Sequence, residues 1–87
     1  MEQLYVMIID EGERYAEVSR EVTDRHTEYI DRLDKDGSLA LYGPLTGHPG
    51  VVGMVMLKAL SHEEAEALCR AEPLVAGGYA TYRLRAL

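Results

Sequence analysis

The chain has 87 residues, enough for one domain, and carries a net charge of −6 with a pI near 4.9. This acidic balance and the scattered basic residues argue against nucleic acid as a partner. No apolar run approaches the roughly 18 residues of a membrane span, and the N-terminus does not resemble a signal peptide, so no membrane partner is expected. The single Cys69 excludes an internal disulfide, and we expect a cytoplasmic protein.

The first half of the chain predicts a strand, a long helix and a second strand. Residues 4–10 are a continuous apolar run, which is typical of a strand, and an Asp-Glu-Gly sequence ends it. Over residues 14–35 apolar side chains recur every three or four positions, which predicts an amphipathic helix. Gly37 is placed to adopt the left-handed conformation that ends such a helix. Residues 39–42 predict a short strand, closed by Gly43-Pro44.

The second half predicts two further strands around a shorter helix. Residues 51–58 form the third strand. Ser61 and Glu64 have the spacing of a capping box, and the helix that they open must end before Pro73. Gly77-Gly78 then turns the chain into a last strand of alternating polarity.

These elements predict one α+β domain over residues 1–87 with the order βαββαβ. Short connections and two helices favour the ferredoxin-like arrangement, in which four antiparallel strands form one sheet. Both helices then lie on one face of that sheet.

The first and third strands predict that the chain pairs with itself. A sheet with one face in water normally alternates apolar and polar residues. Here both faces of both strands are apolar, and two helices can cover only one of them. The second face would exceed the apolar patch that a monomer normally exposes. We therefore expect a twofold homodimer through the sheet face.

His26 and Glu72 are the residues most suited to proton chemistry. His26 lies on the apolar stripe of the long helix, where histidine is commonly a packing residue with one hydrogen-bond partner. With a partner that fixes its tautomer, an imidazole can also transfer protons at cellular pH. Glu72 is the best candidate partner, because a carboxylate at a helix C-terminus opposes the helix dipole and suggests another use. Both interpretations of His26 stay open at this point.

The remaining histidines and the cysteine are weaker candidates for a functional role. His48, in the loop sequence LTGHPG, could line a pocket mouth, although a solvated loop residue is the commoner case. His62 is expected at the surface and Cys69 as an inert buried thiol. The three histidines lack the spacing of metal ligands, so neither a metal nor another cofactor is expected.

The order of these features resembles that of the YciI-like family (YCII-related domain). The corresponding residues span nearly the whole chain: His26, Gly37, Gly43-Pro44, Ser61, Glu72-Pro73 and Gly78. The resemblance implies a dimeric α/β-barrel built on a ferredoxin-like protomer. It also implies a site in which the helix histidine meets the acidic residue before the proline, here His26 and Glu72. At least one branch of the family resembles dehydrochlorinases of chlorinated aromatic breakdown.

Three positions depart from the family pattern. The usual Asp-Pro-aromatic sequence is Glu72-Pro73-Leu74 here, so the carboxylate extends one methylene further and an aromatic wall is missing. The arginine that commonly precedes the histidine by three residues is Thr23, with Arg25 nearby instead. An anion-binding role is therefore not carried over to this chain.

The favoured hypothesis is a small cofactor-free enzyme of lyase or isomerase type that acts on a small metabolite. His26 would be the general acid or base and Glu72 would orient it. The pocket lining would comprise Tyr29, Tyr42, Pro44, His48 and Pro73. The alternative is a non-catalytic module of the same fold that binds a small molecule. A cofactor-free oxygenase is disfavoured, because no Trp or Phe is present to enclose an aromatic substrate.

Overall fold

A computed structural model describes residues 1–87 as four strands and three helices. A 3₁₀ turn (Tyr15–Glu17) precedes the first helix. The elements in chain order are β1 (Gln3–Glu11), α1 (Arg20–Lys35), β2 (Leu39–Pro44), β3 (Val51–Ala59), α2 (His62–Ala71), α3 (Pro73–Ala76) and β4 (Ala80–Ala86). None of these helices combines the length and the apolar character needed to cross a membrane.

The strands form one antiparallel sheet in the order β2-β3-β1-β4. This is the predicted ferredoxin-like arrangement, and the α+β prediction is confirmed. The central strands β1 and β3 bury alternate residues against the helices, and the strand members of this core include Tyr5, Met7, Ile9, Val55 and Leu57. Val22, Ile30 and Leu33 of α1, together with Ala65 and Cys69 of α2, complete the core over the same face.

The opposite face of the sheet carries apolar residues that no element of the chain covers completely. Alternation in β1 and β3 directs their remaining side chains away from the helices, and each is only partly buried. We call this surface the outer face and define it by Leu4, Val6, Ile8, Leu41, Met54 and Met56. The sequence prediction that both faces of these strands are apolar is thus confirmed.

Helix α1 begins later than the periodicity predicts. Residues 14–18 form the 3₁₀ turn and an extended residue, and the helix starts after Ser19, whose side chain accepts from the Val22 amide at 3.2 Å. A hydroxyl at this position satisfies an amide that has no partner within the helix, which favours a start there. Gly37 follows the helix with φ of 80°, as predicted. The strand β2 also extends two residues beyond its prediction, through Gly43-Pro44.

The second helical region contains one helix more than predicted. Helix α2 ends at Ala71, before Pro73, and its start is capped by Ser61, which accepts from the Glu64 amide at 3.1 Å. Pro73 then opens the short helix α3 instead of a loop. Proline is well suited to the first position of a helix, because its missing N–H has no partner there in any case.

Candidate functional site

His26 and Glu72 meet in the interior, between α1 and the junction of α2 with α3. One carboxylate oxygen of Glu72, Oε1, pairs with Nδ1 of His26. Only 8% of His26 and 1% of Glu72 is exposed. A buried ionisable pair of this kind costs desolvation energy unless its hydrogen bonds are complete, so its other contacts are decisive.

The second oxygen of Glu72 holds the start of α3. Its Oε2 accepts from the backbone amides of Leu74 at 3.0 Å and Val75 at 3.4 Å. The sequence argument placed this carboxylate at the unfavourable end of a helix dipole. Glu72 does end α2, but it is also the N-cap of the following helix, where a negative charge is stabilising, and this second role was not predicted.

These contacts determine which nitrogen of His26 carries the proton. An ionised carboxylate only accepts hydrogen bonds, so Nδ1 must be the donor toward Glu72. In the neutral imidazole, Nε2 is then left with a lone pair. The carboxylate thus directs the basic nitrogen of His26 away from the core.

The hydroxyl of Tyr42 lies 2.7 Å from Nε2 of His26. Tyr42 belongs to β2, and 41% of it is exposed, so the phenol stands between the buried histidine and the surface. Burial raises the pKa of Tyr42, and the negative charge of Glu72 raises it further. The phenol therefore stays protonated at neutral pH and can donate to the lone pair of Nε2.

A cavity of about 290 Å³ opens beside this pair. Its walls come from the segment before α1, from α1 itself, from β2 and β3, and from α3. The lining residues are Tyr15, Val18, Thr23, His26, Tyr42, Pro44, Val52 and Leu74. No lysine, arginine, aspartate or glutamate is among them, so the cavity is apolar apart from hydroxyls and one imidazole.

The structure brings only part of the predicted site together. Tyr42 and Pro44 line the cavity with His26, as expected. Tyr29 and His48 do not line it, because each is placed elsewhere by its own hydrogen bond. The Tyr29 hydroxyl donates to the Leu68 carbonyl at 2.7 Å, and His48 Nδ1 donates to the adjacent Pro49 carbonyl at 3.0 Å.

Pro73 is also absent from the lining, because it forms the first turn of α3 and lets Leu74 reach the cavity instead. Thr23 and Leu74, two of the three positions where the chain departs from the family pattern, both line the cavity. Comparison of the sequence with the family pattern could therefore have identified these two residues as cavity lining. Tyr15, Val18 and Val52 were not predicted to line the cavity. The helical spacing of Tyr15 and Val18 had assigned both residues to the helix.

Cys69 takes no part in this site. The thiol is fully buried in the core, and burial raises the pKa of Cys69 to about 12. Because the thiolate is the reactive form, this side chain is an inert packing residue, as predicted.

Comparison with known proteins gives the fold and the family. The chain matches the model of the YCII-related domain over residues 3–87. It is 34% identical over 74 residues to the uncharacterized protein YjpA of Bacillus subtilis (strain 168). This alignment covers 85% of this chain and 81% of YjpA.

Among solved structures, similarity extends to 5-chloro-2-hydroxyhydroquinone dehydrochlorinase (TftG) of Burkholderia phenoliruptrix AC1100, in complex with 2,5-dihydroxybenzoquinone. The TM-score is 0.75 with 14% identity, over 94% of this chain and 90% of TftG. A second structure, MtbAldR, gives a TM-score of 0.57 with 14% identity, over 98% of this chain and 52% of that protein. At this identity both likenesses concern the fold alone. The match over nearly the entire sequence, with the similarity to YjpA, settles the family: the chain belongs to the family of the YCII-related domain.

Proposed function

We propose that this protein is a small enzyme of lyase or isomerase type in which His26 and Glu72 transfer a proton to or from a small molecule. The observation that carries the proposal is the position of the pair. A buried carboxylate holds one imidazole nitrogen, and the other nitrogen is directed toward a cavity. This is the arrangement that general acid–base catalysis requires, with a base whose tautomer and orientation are fixed before the substrate arrives.

The roles of the two residues follow from their contacts. His26 accepts a proton at Nε2 and becomes an imidazolium. Glu72 stabilises that cation through Nδ1, and its own position is held by the amides of Leu74 and Val75. Proton transfer by a positioned side chain typically contributes about 10²–10⁴-fold to a rate.

The size and chemistry of the cavity support a small-molecule ligand. A volume of about 290 Å³ corresponds to a compact metabolite. TftG, which has a similar fold, is a dehydrochlorinase and binds a dihydroxybenzoquinone. That likeness supports a ligand of comparable size here, and its reaction is not carried over.

A non-catalytic binding module is the second candidate. It is favoured by the Tyr42 hydroxyl, which occupies the one nitrogen of His26 that is free for chemistry. In this candidate the two hydrogen bonds hold His26 in place as part of the pocket wall.

Solvent deuterium exchange separates the two candidates without knowledge of the natural substrate. Small uncharged ketones and ring enols are incubated with the protein in D₂O, and deuterium at carbon is measured by mass spectrometry. The enzyme accelerates exchange, and His26→Gln abolishes the acceleration. His62→Gln is the matched control, because His62 is an exposed histidine of α2 outside the cavity. Compounds that bind without any accelerated exchange would instead support the binding module.

Self-association belongs to the same proposal. The outer face presents apolar side chains from three adjacent strands, and the helices lie on the other side of the sheet. A second copy that packs sheet against sheet covers this surface, and twofold symmetry allows the same patch to serve both protomers. The proposed form of the enzyme is accordingly a homodimer.

A further inference from the structure

We propose that the hydroxyl of Tyr42, rather than Nε2 of His26, contacts the substrate, and that the site removes a proton from a hydroxyl group of an uncharged phenol or enol. This inference rests on the proposed function and adds to it a third residue, a direction of proton transfer and a substrate class.

The hydrogen-bond pattern gives the direction. Glu72 has no donor when ionised, so Nδ1 of His26 holds its hydrogen toward Oε1. Nε2 can then only accept, and Tyr42 is the donor across the 2.7 Å contact. The phenol, the imidazole and the carboxylate therefore form a relay of hydrogen bonds in which protons move from the cavity toward Glu72.

The solvent exposure of Tyr42 and His26 determines which of the two contacts a ligand. Tyr42 is 41% exposed, whereas His26 is 8% exposed. The two rings are tilted by 59° with centroids 5.6 Å apart, so the phenol lies alongside the imidazole at its basic end. A ligand in the cavity reaches the Tyr42 hydroxyl directly, but it reaches Nε2 only after this hydroxyl has been displaced.

The proton transfer balances without any further reactant. The substrate O–H bond breaks, and its proton bonds to the oxygen of Tyr42 while the electron pair remains on the substrate oxygen. At the same time, the original proton of Tyr42 moves to Nε2 of His26. The products are a substrate oxyanion and an imidazolium, the latter held against the carboxylate of Glu72. Tyr42 ends as the neutral phenol that it was at the start.

The lining of the cavity restricts the substrate to an uncharged molecule. No lysine or arginine lines the cavity, so a carboxylate or phosphate group would lose hydration without gaining a cation. The buried negative charge of Glu72, which raises the pKa of Tyr42, also disfavours the binding of a molecule that is already an anion, whereas an oxyanion formed in the site lies beside the new imidazolium. A neutral phenol or enol avoids both costs, and an electron-withdrawing substituent brings the acidity of its hydroxyl closer to that of an imidazolium.

The test uses p-nitrophenol, a single-ring phenol whose deprotonation is visible by absorbance. Below the pH at which the free compound ionises, the wild-type protein is expected to bind it and to increase the phenolate signal. Tyr42→Phe removes one hydroxyl from the relay and should lose this increase, as should His26→Gln. Tyr79→Phe is the control, because the Tyr79 hydroxyl makes no hydrogen bond within the chain and lies outside the cavity. It should retain the wild-type signal, and thermal unfolding establishes that each variant is folded.

The results distinguish the two levels of the proposal. Loss of the signal in both Tyr42→Phe and His26→Gln supports the relay. If His26→Gln loses the signal and Tyr42→Phe retains it, the relay is overturned and direct proton transfer by His26 stands. If the wild type gives no signal, or if His26→Gln retains it, both the relay and the proton-transfer function are overturned.

A measurement that needs no ligand gives a second test. The ¹⁵N NMR signals of the His26 ring should show a protonated Nδ1 and an unprotonated Nε2, and Tyr42→Phe should shift the Nε2 signal toward that of a free lone pair. A proton found on Nε2 in the neutral ring overturns the proposal.

Discussion

One carboxylate oxygen of Glu72 is hydrogen-bonded to His26, and the other caps the N-terminus of α3. The same side chain thus orients the imidazole and holds a helix whose next residue, Leu74, lines the cavity. A change at Glu72 must therefore affect stability as well as chemistry. Measurements of stability can test the proposed geometry before any substrate is known.

We expect Glu72→Ala to lower the free energy of unfolding by about 2–4 kcal/mol, measured by urea denaturation. The variant leaves the Nδ1–H of His26 and two helix amides without their acceptor, and the loss of a cap and of a buried hydrogen-bond partner each carry a cost. Glu28→Ala is a suitable control, because Glu28 is an exposed glutamate of α1 without a hydrogen-bond partner in the chain. It should change the stability by no more than about 0.5 kcal/mol. Equal effects of the two substitutions would contradict the described role of Glu72.

Gly53 is expected to be necessary for the close approach of β2 to β3. A Cβ at this position would lie 2.9 Å from the Gly43 carbonyl oxygen, and that atom belongs to the backbone of the neighbouring strand. Gly53→Ala should therefore displace β2, which carries Tyr42 and Pro44, and should cost about 1–3 kcal/mol by urea denaturation.

Gly43→Ala is the matched control for Gly53→Ala. A Cβ at Gly43 meets no atom within 4 Å, and the residue has no positive φ, so this alanine should be tolerated. The two variants exchange the same atoms on paired strands. If Gly53→Ala proves as stable as Gly43→Ala, the strands are farther apart than described.

Much of the fold follows from local patterns in the sequence. The stripe of α1 (Val22, His26, Ile30 and Leu33) is buried as its period predicts, and the strand order agrees with the predicted topology. The start of α1 was not predicted, because Tyr15 and Val18 have helical spacing but lie before the Ser19 cap. Periodicity reports which residues are buried together. It does not distinguish a helix from a turn that covers the same surface.

The site was harder to predict than the fold, because its members come from distant parts of the chain. His26 and Glu72 were named from their residue types and from the family resemblance, and their contact depends on the packing of α1 against α3. Tyr29, on the same helix as His26, was expected to line the pocket, but its hydroxyl donates to the Leu68 carbonyl instead. Helical spacing gives the face on which a side chain lies but not the acceptor that it finds.

The outer face leads to a prediction about assembly. Val6 lies at its centre, paired with Met56 on one side and Arg85 on the other. Val6→Lys introduces a charge into the proposed contact between protomers and should convert a dimer into a monomer in sedimentation velocity at micromolar concentration. Glu28→Gln, on the exposed side of α1, raises the net charge by one unit, as Val6→Lys does, and should leave the dimer intact. A wild-type protein that sediments as a monomer would contradict the proposed assembly.

The raised pKa of the Cys69 thiol leads us to expect a loss of stability at alkaline pH. Burial raises the pKa of the Cys69 thiol from its ordinary 9.0 to about 12, so the folded chain retains a proton that the unfolded chain releases. The contribution of this group to stability is fully present below pH 9.0 and falls as the pH rises from there to about 12. The melting temperature should therefore decrease over this range. The decrease should be smaller in Cys69→Ala, in which the tyrosines with raised pKa values, Tyr29, Tyr42 and Tyr82, still titrate but the thiol does not. Parallel pH profiles for the two proteins would show that the thiol does not contribute.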